Sequence, residues 1–568
     1  VVPLWNYYAD VTDNVITRTA VGLYSENAHK AEFDGSSTWS GNDISASRAG
    51  IWYNLAYGAA TPLTITNNTV TAEDDAAGTR FSGVWLTSLG GSADPTISAN
   101  DITIGSAITQ QGVGYDLWNN GTTATGGITI TGGTVDGGDY GVWVNNFEGY
   151  PTTSGSNGGS TQVTVDNIDL DSFDIAGVFV SDSDNNTNNA TVTANLVNNT
   201  SLAGSAGSTG VLTAGADATT NVDSSIIVSG TDIAYDVDEG TLELTGTTVT
   251  GAGTGIRVDN FGSATMSGGS ITGFTTGIDV LMGAEIELSN VDFDAGTDNA
   301  TDLRVAVDAG DVTLSGGNNF AGDTYFIENL SALDIDATAA AFDEAGNFAI
   351  EDKVFHGPDD PASGIVRVVA GEVFVTTPGT GVSDETIQNA IDAADAGDTV
   401  NVQAGTYVEN VVVDKYLTLL GAGDSASGTV LDGSNGDNAV RITASGLGAS
   451  DRLTLEDLRV VDSQLSGIRA SNVDHIALTG VTAANNGNDG IQLTNNFDVR
   501  FTDVTAVGNG TSMPATVGRG IGFNGVEDLI LANTTTADNW SAGVSITSRD
   551  TTRATSNVTI DGGSFTNT

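Results

Sequence analysis

The chain has 568 residues, with 72 Asp and Glu against 17 Lys and Arg, so its formal net charge at neutral pH is −55. Nucleic acids and anionic membranes require clustered basic residues, so the composition excludes both as partners. The chain contains no cysteine and only three histidines. Disulfides and thiolate chemistry are therefore excluded, and histidine metal sites and Ser-His-Asp triads are disfavoured.

The acidity does not imply disorder, because 39% of the residues are hydrophobic and only 16% are charged. The 74 glycines, together with abundant Thr, Asn, Asp and Ser, are typical of many short strands joined by tight turns. No apolar run approaches the ~18 residues of a membrane-spanning helix. The composition therefore predicts a folded, all-β chain without a membrane span.

A glycine followed by alternating apolar residues recurs through the first 330 residues, at intervals of about 21 to 36 residues. Its markers are Gly22, Gly50, Gly83, Gly114, Gly141, Gly177, Gly210, Ala234, Gly255 and Gly277. Most intervals between Gly50 and Gly210 are longer than those that follow. The excess residues predict long loops in that part of the chain.

The repeat breaks over residues 346–382, which we interpret as a connector, and a short helix follows over 383–396. Ser383 is its expected N-cap, with Asp384 and Glu385 in the first turn. Its expected apolar face consists of Ile387, Ala390, Ile391 and Ala394. We expect this helix to cover the open strand edge of a second repeat block.

The second block begins with predicted strands Thr399–Val402 and Leu417–Leu420, and the glycine repeat returns at Gly467, Gly490, Gly520 and Gly543. Units this short cannot bury an apolar face alone, so neighbouring units must stack, with strands ~4.8 Å apart and turn Asn or Thr side chains in hydrogen-bonded ladders. An antiparallel sandwich is the alternative, but it would show hairpin signals and no fixed glycine phase. The pattern favours a parallel β-helix solenoid with blocks at 1–345 and 383–568.

The run from Asp395 to Gly423 resembles the first segment of right-handed parallel β-helix proteins of the pectin-lyase-like fold. Residues 318–375, which include "IEDKVFHGPDD", resemble connectors in large tandem-repeat bacterial surface and extracellular proteins. The resemblance implies an all-β, right-handed parallel β-helix with a short capping helix at the start of the second block. The order of these features suggests, in addition, that the chain is one period of a longer tandem array, because the recognisable entry cap lies mid-chain, the first block lacks its own cap and the second block is open at its C-terminal end. The fold hosts lyases, hydrolases, adhesins and structural proteins, so it implies no activity.

The alternation that follows each glycine places one class of side chain outward. Late in the first block these are charged, as at Arg257 and Asp279. In the upstream coils they are aromatic, with Asp116 interrupting the stripe; they are Tyr24, Trp52, Trp85, Trp143 and Phe179. Such a stripe marks an interface or a ligand groove. One interpretation is that loops or a neighbouring subunit cover it, and the other is that glycans stack on it.

Acidic turns with carboxylates at alternating spacing are candidates for calcium, which takes six to eight oxygen ligands. The candidate ligands are Asp182, Asp184, Asp292, Asp294, Asp432 and Asp437. Solvated turn residues are the alternative interpretation. No pattern requires a cofactor, and calcium is the only ion that the sequence suggests.

Catalytic patterns are weak. Asn488-Asp489-Gly490 faintly resembles one acidic motif of the fold's glycoside hydrolases, but no second acidic motif follows on the right coil. His356-Gly357 stands alone in the connector, and Arg257 beside Asp279 is typical of a surface ion pair. The sequence therefore predicts that the chain is not an enzyme.

These observations together predict an extracellular or cell-surface structural protein: a rigid acidic β-helical rod in a tandem array, fibre, sheath or adhesin stalk. The expected partner is a second copy of the chain, end to end or side by side, with surface glycans as a further candidate. The alternative function is a carbohydrate-binding or polysaccharide-cleaving protein that uses the outward aromatic stripe.

Overall fold

The computed structural model describes the chain except for residues 1–3, 6–9, 27–36, 55–62, 76, 88–95, 107, 119–125, 147–159, 183–190, 224–225, 382, 384, 435, 513–517, 550 and 567–568. The chain forms two compact units. Unit 1 comprises Val1–Phe326 and Ala339–Asp343, and unit 2 comprises Ile327–Thr338 and Glu344–Thr568.

The described residues are organised as short strands. In chain order, β1 to β19 are Leu4–Trp5, Val11–Thr12, Val15–Glu26, Ser37–Ser40, Asp43–Asn54, Leu63–Thr66, Thr69–Ala72, Arg80–Thr87, Thr96–Thr103, Gln111–Trp118, Gly126–Asp136, Tyr140–Asn146, Thr161–Asp166, Asp169–Phe173, Ala176–Asp182, Val192–Val197, Ser201–Gly204, Thr209–Ala214 and Ala218–Val222. Next, β20 to β36 are Ile227–Ser229, Ile233–Asp238, Thr241–Thr245, Thr248–Thr250, Thr254–Asp259, Ser263–Ser267, Ser270–Thr272, Thr276–Val280, Glu285–Ser289, Thr301–Val305, Val312–Ser315, Asn319–Phe320, Tyr325–Asn329, Ile335–Asp336, Ala341–Phe342, Val354–Phe355 and Val366–Arg367. The last strands, β37 to β55, are Glu372–Val375, Thr399–Val402, Gly405–Tyr407, Val411–Val413, Thr418–Leu420, Thr429–Asp432, Val440–Ile442, Leu453–Val461, Ile468–Ser471, Asp474–Ala484, Ile491–Thr494, Phe497–Thr502, Thr505–Val507, Arg519–Asn524, Glu527–Ala532, Thr535–Ala537, Ala542–Thr547, Ser556–Asp561 and Ser564–Phe565. Helix α1 spans Asn347–Glu351, and α2 spans Ile387–Ala393.

Strands of successive coils pair in parallel and in register. In unit 1, β18 pairs with β21 and β19 with β22, so each coil lies on the one before it. Ile256, Ile278 and Leu303 occupy equivalent positions on three successive coils, and all three are fully buried. The predicted parallel β-helix with inward aliphatic ladders is confirmed.

The repeating glycines lie where successive backbones come closest. A Cβ on Gly490 would lie 2.7 Å from the carbonyl oxygen of Gly520 on the next coil and 2.7 Å from Nδ2 of Asn509. A side chain at this position would collide with its neighbours, so the glycine is required by close approach rather than by its backbone angles.

Asparagine ladders join the coils at their turns. In unit 1, Asn14, Asn42, Asn68 and Asn100 form a chain of amide hydrogen bonds of 2.8 to 2.9 Å. An equivalent ladder in unit 2 consists of Asn486, Asn509 and Asn539, with bonds of 3.0 and 2.9 Å. The ladders predicted from the Asn-rich turns are therefore present in both units.

Helix α2 is shorter than predicted and has a different N-cap. Thr386, not Ser383, caps it by accepting a hydrogen bond from the Asn389 N–H. Ser383 instead donates its hydroxyl to Asp359, and the Glu385 carboxyl group accepts the Thr376 N–H, so neither caps the first turn. The predicted apolar face is confirmed, since Ile387, Ala390 and Ile391 are buried in the helix and Ala394 is buried at its C-cap.

Three side chains fix α2 over the first coil of unit 2. Gln388 bonds both the N–H and the C=O of Val412 in β40, which are otherwise open strand-edge groups. Glu409 accepts the Ile387 and Gln388 N–H groups at the start of the helix. Lys415 donates to two carbonyls at its end. The helix thus covers an edge that could otherwise pair with another chain.

Two buried tyrosines give opposite predictions. The Tyr235 hydroxyl is buried and has no hydrogen-bond partner among the described residues, whereas the Tyr407 hydroxyl lies 3.0 and 2.9 Å from the carbonyls of Thr376 and Gln403. Because an unsatisfied buried hydroxyl costs about 1–3 kcal/mol, Tyr235→Phe should stabilise unit 1 by about 1 kcal/mol. Tyr407→Phe should destabilise unit 2 by about 1 kcal/mol. Hydrogen exchange in each unit measures both effects, and equal signs would contradict the assignment.

Candidate functional site

The outward aromatic side chains of unit 1 lie in a single column. Strand pairing places Tyr24 opposite Trp52, and Trp52 opposite Trp85. Asp116 follows, then Trp143 and Phe179. We call Tyr24, Trp52, Trp85, Trp143 and Phe179 the aromatic column. The structure therefore places them in the register that the glycine phase predicts.

The rings of the column pack largely against one another. Trp52 and Trp85 stack with centroids 4.3 Å apart and planes 14° apart, and Tyr24 lies 4.8 Å from Trp52. Trp143 lies 5.3 Å from Phe179. A sugar ring stacks on an aromatic ring whose face is free. In the aromatic column, several ring faces instead lie against neighbouring rings. This packing favours a structural role for the column over a glycan platform.

A buried ion pair fills the gap in the column. Arg80 lies 2.6 Å from Asp116, which also accepts the Ser82 hydroxyl at 2.7 Å. The Arg80 guanidinium lies 4.2 Å from the ring centroid of Trp143 and 5.1 Å from that of Trp118. Burial raises the pKa of Asp116 to about 6, although Arg80 acts in the opposite direction. The pair therefore continues the column by cation–π contact.

Further along the same face of unit 1, charges alternate in sign from coil to coil. Asp236, Arg257, Asp279 and Arg304 occupy successive outward positions. Arg257 pairs with Asp236 at 2.5 Å and Arg304 with Asp279 at 2.9 Å. Each arginine on this face thus has a carboxylate on the preceding coil.

The equivalent face of unit 2 is different, because its strands include arginine but no acidic residue. Strands β43, β45, β47, β50 and β53 contain no Asp or Glu. Arg441 lies directly opposite Arg469 on the next coil, and Gln492 follows. Both arginines are exposed, and in the part of the chain that the structure describes neither forms an ion pair. We call this surface the arginine face.

Arg519 begins strand β50, beyond Gln492 on the arginine face, and its positive charge is paired with Asp489. Its guanidinium holds the carboxylate of Asp489, with Nε and Nη2 2.5 to 3.1 Å from the two oxygens, and Asp489 is 1% exposed. The side chain crosses Gly522, where a Cβ would lie 2.8 Å from Cζ of Arg519. Asp489, singled out as a faint catalytic motif, is thus the buried partner of a structural ion pair.

The calcium candidates remain predictions. Asp184 lies outside the described residues. Asp292 accepts the Asp294 N–H at 3.1 Å and the Asn319 amide at 3.0 Å, and Asp432 accepts the Ser434 N–H at 2.9 Å. Asp182 is the last residue of β15, and Asp437 lies between β42 and β43. Among the described residues, no group of three or more acidic or histidine side chains could hold a metal ion.

Residues 438–568 match the family model described as "Right handed beta helix region". The stacked, in-register parallel strands of both units make the chain a parallel β-helix repeat protein. No curated protein gives a significant match. Over its described residues, this β-helix protein contains no helix that is long and apolar enough to cross a membrane.

Two solved structures similar to this β-helix protein are of the PL6-family alginate lyase AlyGC. An arginine-to-alanine mutant of that enzyme is 10% identical, with 94% of this chain and 97% of that chain covered and a TM-score of 0.22. The enzyme itself is 9% identical, with 90% and 98% covered and a TM-score of 0.19.

The arginine face was not identified from the sequence, although a signal was present. Val440-Arg441-Ile442 and Ile468-Arg469-Ala470 show the same apolar alternation, with arginine at the outward position. Comparing outward residues between successive coils would have revealed two like charges in register.

Proposed function

We propose that this protein is an extracellular β-helix protein that binds an acidic polysaccharide on the arginine face of unit 2. The observation that carries the proposal is the register of Arg441 and Arg469, which face each other without a carboxylate. In unit 1 the arginines of the equivalent face alternate with aspartates. Like charges directly opposite on paired strands are destabilising, so their retention suggests a ligand that compensates them.

The chemistry of the face suits a chain of sugars that carries repeated anionic groups. A guanidinium binds carboxylate or sulfate through two parallel hydrogen bonds. Adjacent coils lie ~4.8 Å apart, so a polymer crossing them can meet both arginines. Gln492, Ser471 and Thr494 lie at further outward positions and can bond sugar hydroxyls.

The net charge of −55 does not prevent such binding. At physiological salt the Debye length is about 8 Å, so the distant carboxylates are largely screened while direct guanidinium contacts persist. With only 17 Lys and Arg in the chain, basic surfaces are short, which is consistent with a face that binds one segment of polymer.

Affinity for matched polymers tests the proposal. The protein should bind dextran sulfate and polygalacturonate but not neutral dextran, as measured by calorimetry at physiological salt. The double variant Arg441→Gln/Arg469→Gln should weaken binding about tenfold or more, because charge-assisted hydrogen bonds contribute about 1.5–3 kcal/mol each. An increase in ultraviolet absorbance from unsaturated uronate would additionally reveal cleavage.

The control variant is Arg18→Gln/Arg48→Gln, which removes the same charge from exposed positions in unit 1. It should leave the affinity unchanged. Equal losses in both double variants would mean that total charge, not the arginine face, governs binding. Equal binding of dextran and dextran sulfate would also contradict the proposal.

A structural role is the second candidate, and the ring-on-ring packing of the aromatic column favours it. In that case unit 1 acts as a stable spacer in an assembly of copies at the cell surface. Electron microscopy of the purified protein tests this candidate, since filaments or arrays are expected and dispersed monomers at all concentrations would contradict it.

A further inference from the structure

Four titratable side chains lie together where α1, the turn after it and the start of α2 meet in unit 2. Glu351 and His356 are each 1% exposed, and Glu385 is 6% exposed. Asp359 completes the group, which we call the acid cluster. Carboxyl groups are rarely buried without a cationic partner, because burial disfavours the charged form.

The histidine of the acid cluster supplies no positive charge. The Val366 N–H donates to Nδ1 of His356 at 2.9 Å, so the ring proton resides on Nε2. Nε2 lies 2.6 Å from Oε1 of Glu351 and donates to it. Burial lowers the pKa of His356 to about 4, so the ring is neutral at physiological pH.

Glu385 faces acidic groups and no cation. Its Oε2 accepts the Thr376 N–H at 2.5 Å. Burial, followed by the nearby Glu351 and Asp359, raises the pKa of Glu385 to about 10. Tyr407 faces it from β39. Among the described residues, no lysine or arginine contributes to this environment, and Asp384 lies outside them.

The other carboxyl groups of the acid cluster are held in place. Asp359 accepts the His356 backbone N–H at 2.8 Å and the hydroxyl of Ser383. The pKa of Glu351 is raised well above its ordinary value, first by burial and then by Asp359 and Asp352. Once one carboxyl group of the acid cluster is ionised, ionisation of another would place two negative charges in the same buried space.

The acid cluster is directly connected to the helix that covers the solenoid edge. Glu385 precedes Thr386, the N-cap of α2, and the Thr386 N–H and the Asn389 amide both donate to the Pro358 carbonyl, at 3.3 and 3.2 Å. Gln388 of α2 in turn bonds the open edge of β40. Glu385 is therefore only three residues from Gln388, the residue whose side chain holds α2 on the edge of β40.

We propose that the acid cluster is a proton-operated latch: α2 stays over the edge of β40 while Glu385 keeps its proton, and the helix is released when that carboxyl ionises in alkaline solution. The latch is independent of polysaccharide binding on the arginine face. Its effect is to expose or protect a strand edge that can pair with another chain.

The sign of the pH dependence follows from the raised pKa of Glu385. The folded chain holds this proton more tightly than the unfolded chain, in which the carboxyl has its ordinary pKa of 4.5. The stabilisation is therefore fully present below that value, decreases as the pH rises above it, and is lost as the pH passes about 10. The opening should be an alkaline event.

Hydrogen exchange of α2 and β40, with each rate divided by the intrinsic rate at that pH, tests the latch. In the full chain, protection of these segments should fall by about tenfold or more between mildly acidic and alkaline solution, since one pKa unit corresponds to a tenfold change. Glu385→Gln keeps the acceptor for the Thr376 N–H but cannot ionise, so its protection should stay constant. Far-UV circular dichroism verifies that the remaining coils stay folded.

Glu456→Gln, which removes a half-buried carboxyl from strand β44 of the same unit, is the matched control and should behave as the unmodified chain. If Glu385→Gln does not fold, Glu351→Gln decides, because removing one of two buried carboxyls should reduce the alkaline loss. The proposal is overturned if Glu385→Gln, or in its place Glu351→Gln, loses protection in parallel with the unmodified chain. It is equally overturned if protection in the unmodified chain does not change with pH.

Discussion

Replacing Gly490 by alanine is expected to destabilise the coils around it in unit 2 by about 4 kcal/mol. The new Cβ would lie 2.7 Å from the Gly520 carbonyl oxygen and 2.7 Å from Nδ2 of Asn509. The first contact is with backbone, which can move only if the coils separate. The second contact is with Asn509, the central member of the asparagine ladder. If Asn509 moves away to make room, its ladder hydrogen bonds to Asn486 and Asn539 are broken.

Hydrogen exchange in strands β46 to β50 measures this effect, because local opening free energies in a solenoid are resolved coil by coil. Gly448→Ala is the control, since a Cβ at that position meets nothing within 4 Å. It should change stability by less than about 1 kcal/mol in either direction. Similar losses in both variants would show that the effect arises from general loss of glycine rather than from close approach between coils.

The glycine phase predicted the stacking of coils, but it could not reveal why glycine is required. Sequence periodicity gives the distance along the chain between equivalent positions and contains no information on the distance across coils. The close approach depends on Asn509 and Gly520, which are 19 and 30 residues after Gly490 in the chain, meeting it at one point. Only the stacked structure brings them together.

Outward positions illustrate the same limit. The alternation placed Tyr24, Trp52 and Trp85 outward, and strand pairing agrees. Whether such rings present their faces to solvent or to each other depends on side-chain rotamers, which the sequence pattern does not determine. The stacked geometry of Trp52 and Trp85 therefore changed the interpretation of the stripe.

The start of α2 shows how tertiary contacts override local capping signals. Ser383, followed by two acidic residues, is a typical helix start in isolation. In the fold, Ser383 donates its hydroxyl to Asp359 and the Glu385 carboxyl group accepts the Thr376 N–H, so both partners lie outside the helix. Thr386 is the next residue with a suitable oxygen, and the helix begins after it.

Replacing Asn509 by alanine is expected to cost about 3 kcal/mol in unit 2. Its Oδ1 accepts the backbone N–H and the side-chain amide of Asn486, both at 3.0 Å. Its Nδ2 donates to the Ala483 carbonyl at 3.1 Å and to Oδ1 of Asn539 at 2.9 Å. All four bonds are buried, so alanine leaves donors and acceptors on two neighbouring coils without partners.

Asn401→Ala is the matched control, because the Asn401 amide is half-exposed, its contacts to the Val373 and Thr399 carbonyls are long at 3.4 Å, and its shortest bond is to Glu372 at 3.1 Å on an outward position. Water can replace that bond, so the control should lose less than about 1 kcal/mol. The loss at Asn509 should also lower protection in the coils of Asn486 and Asn539, because each ladder member holds the next. A loss confined to the coil of Asn509 would contradict a cooperative ladder and would leave the aliphatic interior as the main link between coils.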